Sequence, residues 1–342
     1  MENRKKMLIE LNRKHSEMFM AQRLERELYL AQHPTKIVVF KCMDGRVHMP
    51  TVTKTPLGIM RPFRNIGGKF DLGWPYLNEA FDQLVTKAVS EGKRILVFIN
   101  YHFSAGDEQR GCAGFGHDKE ASMRFTENFR QQIFRIYGKD NGVVVPIRVG
   151  LETDRDTLIF HGDDGKEIDV STLPDDSDDT LHPLFRELYP SMPDRILADL
   201  LPLVRGNMKR IAETSVSGKP SEDLVHGEWI LAIGKGFDWL HAPNMALIVG
   251  PYDPNVGEPI ATAADIVGRN VEAGRAPDGF VLLSSSIFTD AEERVRAKER
   301  SLYLNRLGRE IVEKRHPELV GLMHPMPVIL DYATMRMEIV EG

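Results

Sequence analysis

Two cysteines occur in the 342-residue chain, Cys42 and Cys112, and His102 stands ten positions before the second. Thiolate sulfur and imidazole nitrogen bind Zn²⁺ in tetrahedral sites, and three such donors leave a fourth position for water, as in catalytic zinc. Bound water then ionises near neutral pH, its pKa falling from ~15.7 to about 7, and hydroxide becomes available. Cys42 follows the apolar run Ile37-Val38-Val39-Phe40, and His102 closes the run that begins Ile95-Leu96-Val97-Phe98-Ile99, so both stand where strands end. A lone buried cysteine is ordinarily a small hydrophobe. Cys112, however, lies in Gly111-Cys112-Ala113-Gly114-Phe115-Gly116, a poor setting for a packing residue. A disulfide is the other use for two cysteines, but no secretory signal is legible and a chain of this size needs no single covalent staple. A redox pair would place them closer in sequence.

Asp44 and Arg46 alternate with Cys42, so in an extended segment the three side chains leave on one face. A carboxylate beside a thiolate-held metal can accept the proton of bound water or displace that water. Arg46 decides between these by holding Asp44 in a bidentate, charge-assisted pair. Asp44-Gly45 is also a strong turn dipeptide, which leaves a solvated surface turn as the plainer reading.

The pattern C-x-D-x-R followed by a distal His and Cys resembles the zinc site of β-class carbonic anhydrases. Arg64-Asn65-Ile66-Gly67-Gly68 is similar to the Arg-Asn-x-Gly segment of that family. One departure matters: the family's ordinary spacing is H-x-x-C, whereas His102 to Cys112 is H-x9-C. Long spacings mark two divergent branches, the carboxysome-shell enzymes, closest in layout, and the cadmium-using diatom enzymes. The resemblance implies Cys42, His102 and Cys112 as ligands of Zn²⁺, with Cd²⁺ as the other metal such a site accepts. It implies Asp44 and Arg46 as the catalytic pair, CO₂ and bicarbonate as substrate and product, and hydration by metal-bound hydroxide. Hydrolysis of CS₂ or COS on the same scaffold is the nearest alternative. A non-catalytic scaffold, with Asp44 as a fourth ligand closing the site, is the other. His117 is a candidate proton shuttle, a helix cap or a replacement for His102.

Shell enzymes of this kind carry a second, degenerate copy of the fold, and the sequence contains matching segments. Lys41 and Asp44 correspond to Lys235 and Asp238 at an offset of 194, and Ile95 to Phe103 corresponds to Phe280 to Phe288 at 185. Val149-Gly150-Leu151 matches Val320-Gly321-Leu322 at 171, which sets Leu158-Ile159 on Ile329-Leu330. In this alignment Cys42 corresponds to Gly236, Arg46 to Leu240 and His102 to Ile287, so the second copy has no metal site.

The positioning elements follow from periodicity. Glu2 to Gln32 reads as one long charged helix, Pro75 to Ser90 and Asp118 to Tyr137 as further helices, and Val143 to Val149 as a strand. The acid-rich stretch Gly162 to Thr180 reads as a linker or loop without calcium-loop spacing, and Leu181 to Ser217 returns to helical periodicity. The expected fold is α/β, a β-carbonic-anhydrase-like, mainly parallel sheet flanked by helices, duplicated, with an N-terminal helical arm. The expected domains are an arm over 1–34, a catalytic domain over 35–162, an acidic linker with helices over 163–222, and the degenerate copy over 223–342. A net charge of −6 carries no basic excess for nucleic acid. No apolar run reaches the ~18 residues of a membrane span. A homo-oligomer in the cytoplasm, or within a carboxysome or similar compartment, is the expected setting.

Overall fold

The computed structural model describes residues 1–138, 142–174, 176–217, 227–240 and 245–341. It divides into two compact units, an N-terminal one of Leu24–Cys42 and Val47–Ser221 and a C-terminal one of Met1–Arg23, Met43–Arg46 and Glu222–Gly342. The expected single helix over Glu2 to Gln32 is two helices, α1 (Glu2–Ala21) and α2 (Arg23–Gln32), ending and resuming around Gln22. No local breaker stands there; the break falls where the chain leaves one unit for the other. α1 buries Leu8, Asn12, His15 and Ser16, one stripe at helical spacing. Two of its polar members are bonded, Asn12 to the backbone of Met335 and Met337, and Ser16 to the carbonyl of Thr334.

The N-terminal unit contains β1 (Lys36–Cys42), α3 (Met49–Val52), β2 (Met60–Asn65), α4 (Pro75–Ser90) and β3 (Ile95–Phe103). It continues with α5 (Lys119–Ile133), β4 (Val144–Glu152), β5 (Thr157–His161), β6 (Glu167–Asp169), α6 (Asp178–Leu188) and α7 (Asp194–Ser217). The sheet order is β2-β1-β3-β4-β5-β6; the first four strands are parallel, and β5 and β6 are added antiparallel. β1 and β3 are buried almost throughout, as strands covered on both faces must be. Phe40 packs against Phe63, Phe70, Phe81 and Phe129 with ring centroids 4.8 to 5.5 Å apart. A second aromatic contact joins Phe160 to Phe98 and Phe185.

The acid-rich stretch is not a bare linker. It contains β6, a turn closed by Asp164 accepting from the Lys166 amide, and Asp169 capping a short 3₁₀ turn at Ser171. Ser177 caps α6, and Asp178 and Asp179 occupy its first turn, where carboxylates meet the positive end of the helix dipole. The acids are turn and cap formers here, which composition does not distinguish from a solvated loop; Asp175 lies outside the described residues.

The C-terminal unit contains β7 (Ile230–Gly234), β8 (Ala246–Val249), α8 (Gly257–Glu272), β9 (Phe280–Phe288), α9 (Ala291–Arg315), β10 (Met323–Asp331) and β11 (Met337–Ile339). Its sheet reads β8-β7-β9-β10-β11, with the last pair antiparallel. That is the order and direction of β2-β1-β3-β4-β5, so the two sheets share one topology. β9 corresponds to β3 at the offset of 185 read from sequence, but the other matches are wrong: Ile37 pairs with Leu96 and Ile230 with Val281, so β7 follows β1 at an offset of 193, not 194, and Cys42 corresponds to Lys235, not Gly236. Asn100 pairs with Val149 and its counterpart Ser285 pairs with Val328, so Val149 corresponds to Val328. Val320 to Leu322 lies in the 3₁₀ turn before β10, and Ile329-Leu330 belongs to β10, the counterpart of β4, instead of matching β5. Short apolar triplets recur in any buried strand, and pairing register alone separates them. Among the described residues no helix is long and apolar enough to cross a membrane.

Candidate metal centre

β1 ends at Cys42, β3 carries His102 one residue before its end, and Cys112 sits at the N-cap of the 3₁₀ turn Ala113–Phe115. The sulfurs of Cys42 and Cys112 and a ring nitrogen of His102 all lie within 4.8 Å of one another. All three residues are buried, with 5%, 4% and 1% of their surface exposed. The sulfurs are 3.8 Å apart, so they are not a disulfide, whose S–S bond is about 2.05 Å. Two sulfurs each ~2.3 Å from one tetrahedral ion stand about 3.8 Å apart, which is this spacing. Both ring nitrogens of His102 are buried with no hydrogen-bond partner. A buried imidazole left so is costly, and a metal bond to one nitrogen relieves it. The donor set therefore fits a metal ion.

Backbone contacts hold Cys112 in place. A Cβ on Gly114 would lie 2.5 Å from the amide nitrogen of Gly67, and one on Gly67, which has φ +62°, would lie 2.9 Å from the ring of Phe115. The Gly67-Gly68 pair thus provides a surface on which the Cys112 turn sits. Asn65 anchors that surface, its side chain accepting from the Ile66 amide and donating to the Lys69 carbonyl. Lys69 places its ammonium 4.6 Å above the Phe115 ring. On the other side of Cys112, the loop from Ser104 to Arg110 is bonded to Glu152 and Asp154, residues that sequence reasoning missed. Burial pushes the Asp154 carboxyl up, but the Gly106 amide, the Ser104 hydroxyl and Arg110 outweigh it and hold it below the ordinary carboxylate range. The only signal in sequence is the polar Glu152-Thr153-Asp154-Arg155-Asp156 turn after β4.

Asp44 and Arg46 are not in an extended segment, contrary to the alternation read from sequence. The chain turns after Cys42, and Met43–Arg46 packs in the C-terminal unit. There Asp44 bridges to Leu247, the Met43 carbonyl accepts from Ile248, and a Cβ on Gly45 would lie 2.8 Å from the Ala246 carbonyl oxygen. Only glycine fits at that position. The Asp44 carboxylate accepts from the Arg46 amide at 2.8 Å and from Nη2 at 2.7 Å, with Nε at 3.1 and 3.2 Å from its two oxygens. Both side chains are buried, so the pair is fixed as well as charge-assisted.

His117 is not among the three clustered residues. It occupies the left-handed region at φ 69°, its amide bonds to the Cys112 carbonyl, and Nδ1 is 3.2 Å from the Gly111 carbonyl. Tyr101 packs away from His102, over Gly150, and its hydroxyl is 2.9 Å from Nε2 of His161. Burial and the nearby charges of Arg148 and Lys119 depress His161 to about 4. At neutral pH its ring is neutral and accepts from Tyr101, and the Glu167 carboxylate 3.3 Å from Nδ1 meets an N–H and not a cation.

Among the described residues the C-terminal unit has no such cluster. By strand register Ile287 corresponds to His102 and Lys235 to Cys42, and neither side chain is an imidazole or a thiol.

The fold and the cluster define a mainly parallel α/β protein with a buried Cys₂His group able to hold a metal ion. Residues 29–176 match the family of the carboxysome shell carbonic anhydrase, catalytic domain. That span includes all three donors, Asp44 and Arg46, and the resemblance read from sequence stands. None of the curated proteins matches the chain.

Proposed function

We propose that this protein is a zinc-dependent carbonic anhydrase that interconverts CO₂ and bicarbonate, with Cys42, His102 and Cys112 as the metal ligands. The observation that carries this is the convergence of two thiols and an otherwise unpartnered imidazole within 4.8 Å, inside the stretch that matches a carbonic anhydrase catalytic domain. A divalent metal held there supplies hydroxide at neutral pH by acidifying water. Asp44 accepts the hydrogen bond that orients the nucleophile, and Arg46 keeps the carboxylate from competing as a ligand. Burial of the donors excludes bulk water and favours a small, uncharged substrate. Cd²⁺ is an alternative occupant of a site with two sulfurs. Residues 35–162 form the catalytic part in this reading, and 223–342 a metal-free second copy. The family match favours a setting in a carboxysome or similar shell, and the assembly in this reading is a homo-oligomer.

The test is metal content together with CO₂ hydration on one preparation. The wild type is expected to hold zinc and hydrate CO₂, and Cys42→Ser and Cys112→Ser to lose most of the metal, because a neutral hydroxyl is a poor substitute for thiolate. Full metal and activity in either variant would show the ligands to be misassigned.

A further inference from the structure

We propose that Asp154 and Glu152 are positioning residues for the metal centre: they clamp the nine-residue loop between His102 and Cys112 so that the Cys112 sulfur is presented to the metal. The inference rests on the ligand set proposed above and extends it to two carboxylates outside it.

The loop leaves β3 after His102 and must deliver a sulfur to within 4.8 Å of the histidine it has just left. Apart from the 3₁₀ turn Glu108–Arg110, nothing regular holds it. An unheld loop of this length samples many conformations, and ordering it opposes metal binding. The bonds that order it converge on the turn after β4. Asp154 accepts from the Ser104 hydroxyl at 2.9 and 2.8 Å and from the Gly106 amide at 2.7 Å, and Arg110 stands 3.7 Å away. Ser104 in turn accepts from the Asp107 amide at 3.1 Å. Glu152, 2% exposed, accepts from the Ala105 amide at 3.2 Å and from the amides of Asp154 and Arg155 at 2.8 and 3.0 Å. One carboxylate therefore holds the loop, and the other holds both the loop and the turn that carries the first. Thr153 fixes this turn to β3, donating from its amide and hydroxyl to the Phe103 carbonyl. The far side of Cys112 is held by the Gly67 and Gly114 contact, so the ligand sits between two clamps of different kinds.

The test uses the full-length chain loaded with Co²⁺, whose thiolate charge-transfer absorption reports sulfur ligation, and chelator competition for Zn²⁺ affinity. Cys112→Ser serves as the reference for loss of one thiolate. Asp154→Ala is expected to weaken metal binding about 10–100-fold, the range for residues that orient ligands, and to move the charge-transfer band toward that reference. Ser104→Ala should act in the same direction, and the double variant should cost less than the sum of the two. If Asp154→Ala does not fold, Asp154→Asn and Ser104→Ala carry the measurement with little change of volume. Wild-type metal affinity and cobalt spectrum in the folded variants, even with a lowered melting temperature, overturn the clamp. A wild type that binds no metal overturns the clamp and the ligand set together. Loss of metal in the variants, from a wild type that binds metal but does not hydrate CO₂, upholds the clamp and overturns only the activity.

Discussion

Asp44 holds more of its hydrogen-bonding capacity on Arg46 than a turn requires. An Asx turn needs only the 2.8 Å bond from the Arg46 amide, yet the guanidinium adds a buried bidentate pair. In the proposed reaction this pair aims the carboxylate. Asp44→Asn is therefore expected to keep its metal and lose about 10–100-fold in CO₂ hydration, the range for removing an orienting partner. Arg46→Ala should keep its metal too, with Asp44 released to take the place of water and turnover lost; a crystal structure of the metal-loaded variant with an Asp44 oxygen on the metal would check this. Full turnover in both variants would overturn these roles for Asp44 and Arg46. His161 yields a pH prediction. Its folded pKa of about 4 lies below its ordinary 6.5, so the unfolded chain takes up the proton first. Its contribution is unchanged above pH 6.5 and falls through the window down to about 4, by roughly 1.4 kcal/mol per pH unit at the steepest. Urea unfolding across that range should show the slope, and His161→Gln should flatten it.

The two 3₁₀ turns that meet beside Cys112 depend on an approach of backbone to backbone. Gly114→Ala drives a methyl to 2.5 Å from the Gly67 nitrogen, and backbone cannot rotate away as a side chain can. Overpacking of this kind costs ~1–3 kcal/mol, and the shift should displace Cys112. The expected result is a lower melting temperature together with weaker metal binding. Gly92→Ala is the control: Gly92 has φ +65° with nothing within 4 Å, just past the end of α4. It should cost about 1 kcal/mol of backbone strain and leave metal affinity unchanged. α7 meets α3 by a similar approach, a Cβ on Gly206 falling 1.8 Å from the Thr53 carbonyl oxygen, while Asn207 donates to the carbonyls of Val52 and Asp156.

Two sheets of one topology make the molecule symmetric in fold and asymmetric in chemistry. Among the described residues, Cys42, His102 and Cys112 are the one group of donors close enough to hold a metal ion. Elemental analysis is therefore expected to find one tightly held metal per chain, reduced below one by Cys112→Ser. Two metals per chain would contradict a metal-free second copy. The second sheet retains a full apolar core, with Ile230, Ala232, Val281, Leu283, Val328 and Leu330 among its buried members.

The strands, their mainly parallel order and the three donors were legible from residue types, because buried parallel strands read as continuous apolar runs and metal donors are few in kind. Asp118 as the cap of α5 and Pro75 as the start of α4 were legible for the same local reason. Features set by distant partners were not. The alternation of Cys42, Asp44 and Arg46 suggested an extended segment, but Leu247 and Ile248, some two hundred positions away, take the backbone of Met43 and Asp44 into another sheet. The match of Val149 to Val320 failed because apolar triplets do not encode register, whereas the ladder to β9 does. Glu152 and Asp154 were missed because their bonds to Ala105 and Gly106, across some fifty positions, exist only once β3 and β4 lie side by side. Local sequence sets which groups are available, while the pairing of strands far apart in the chain sets which of them meet, since a hydrogen bond or a metal bond requires angstrom-scale approach.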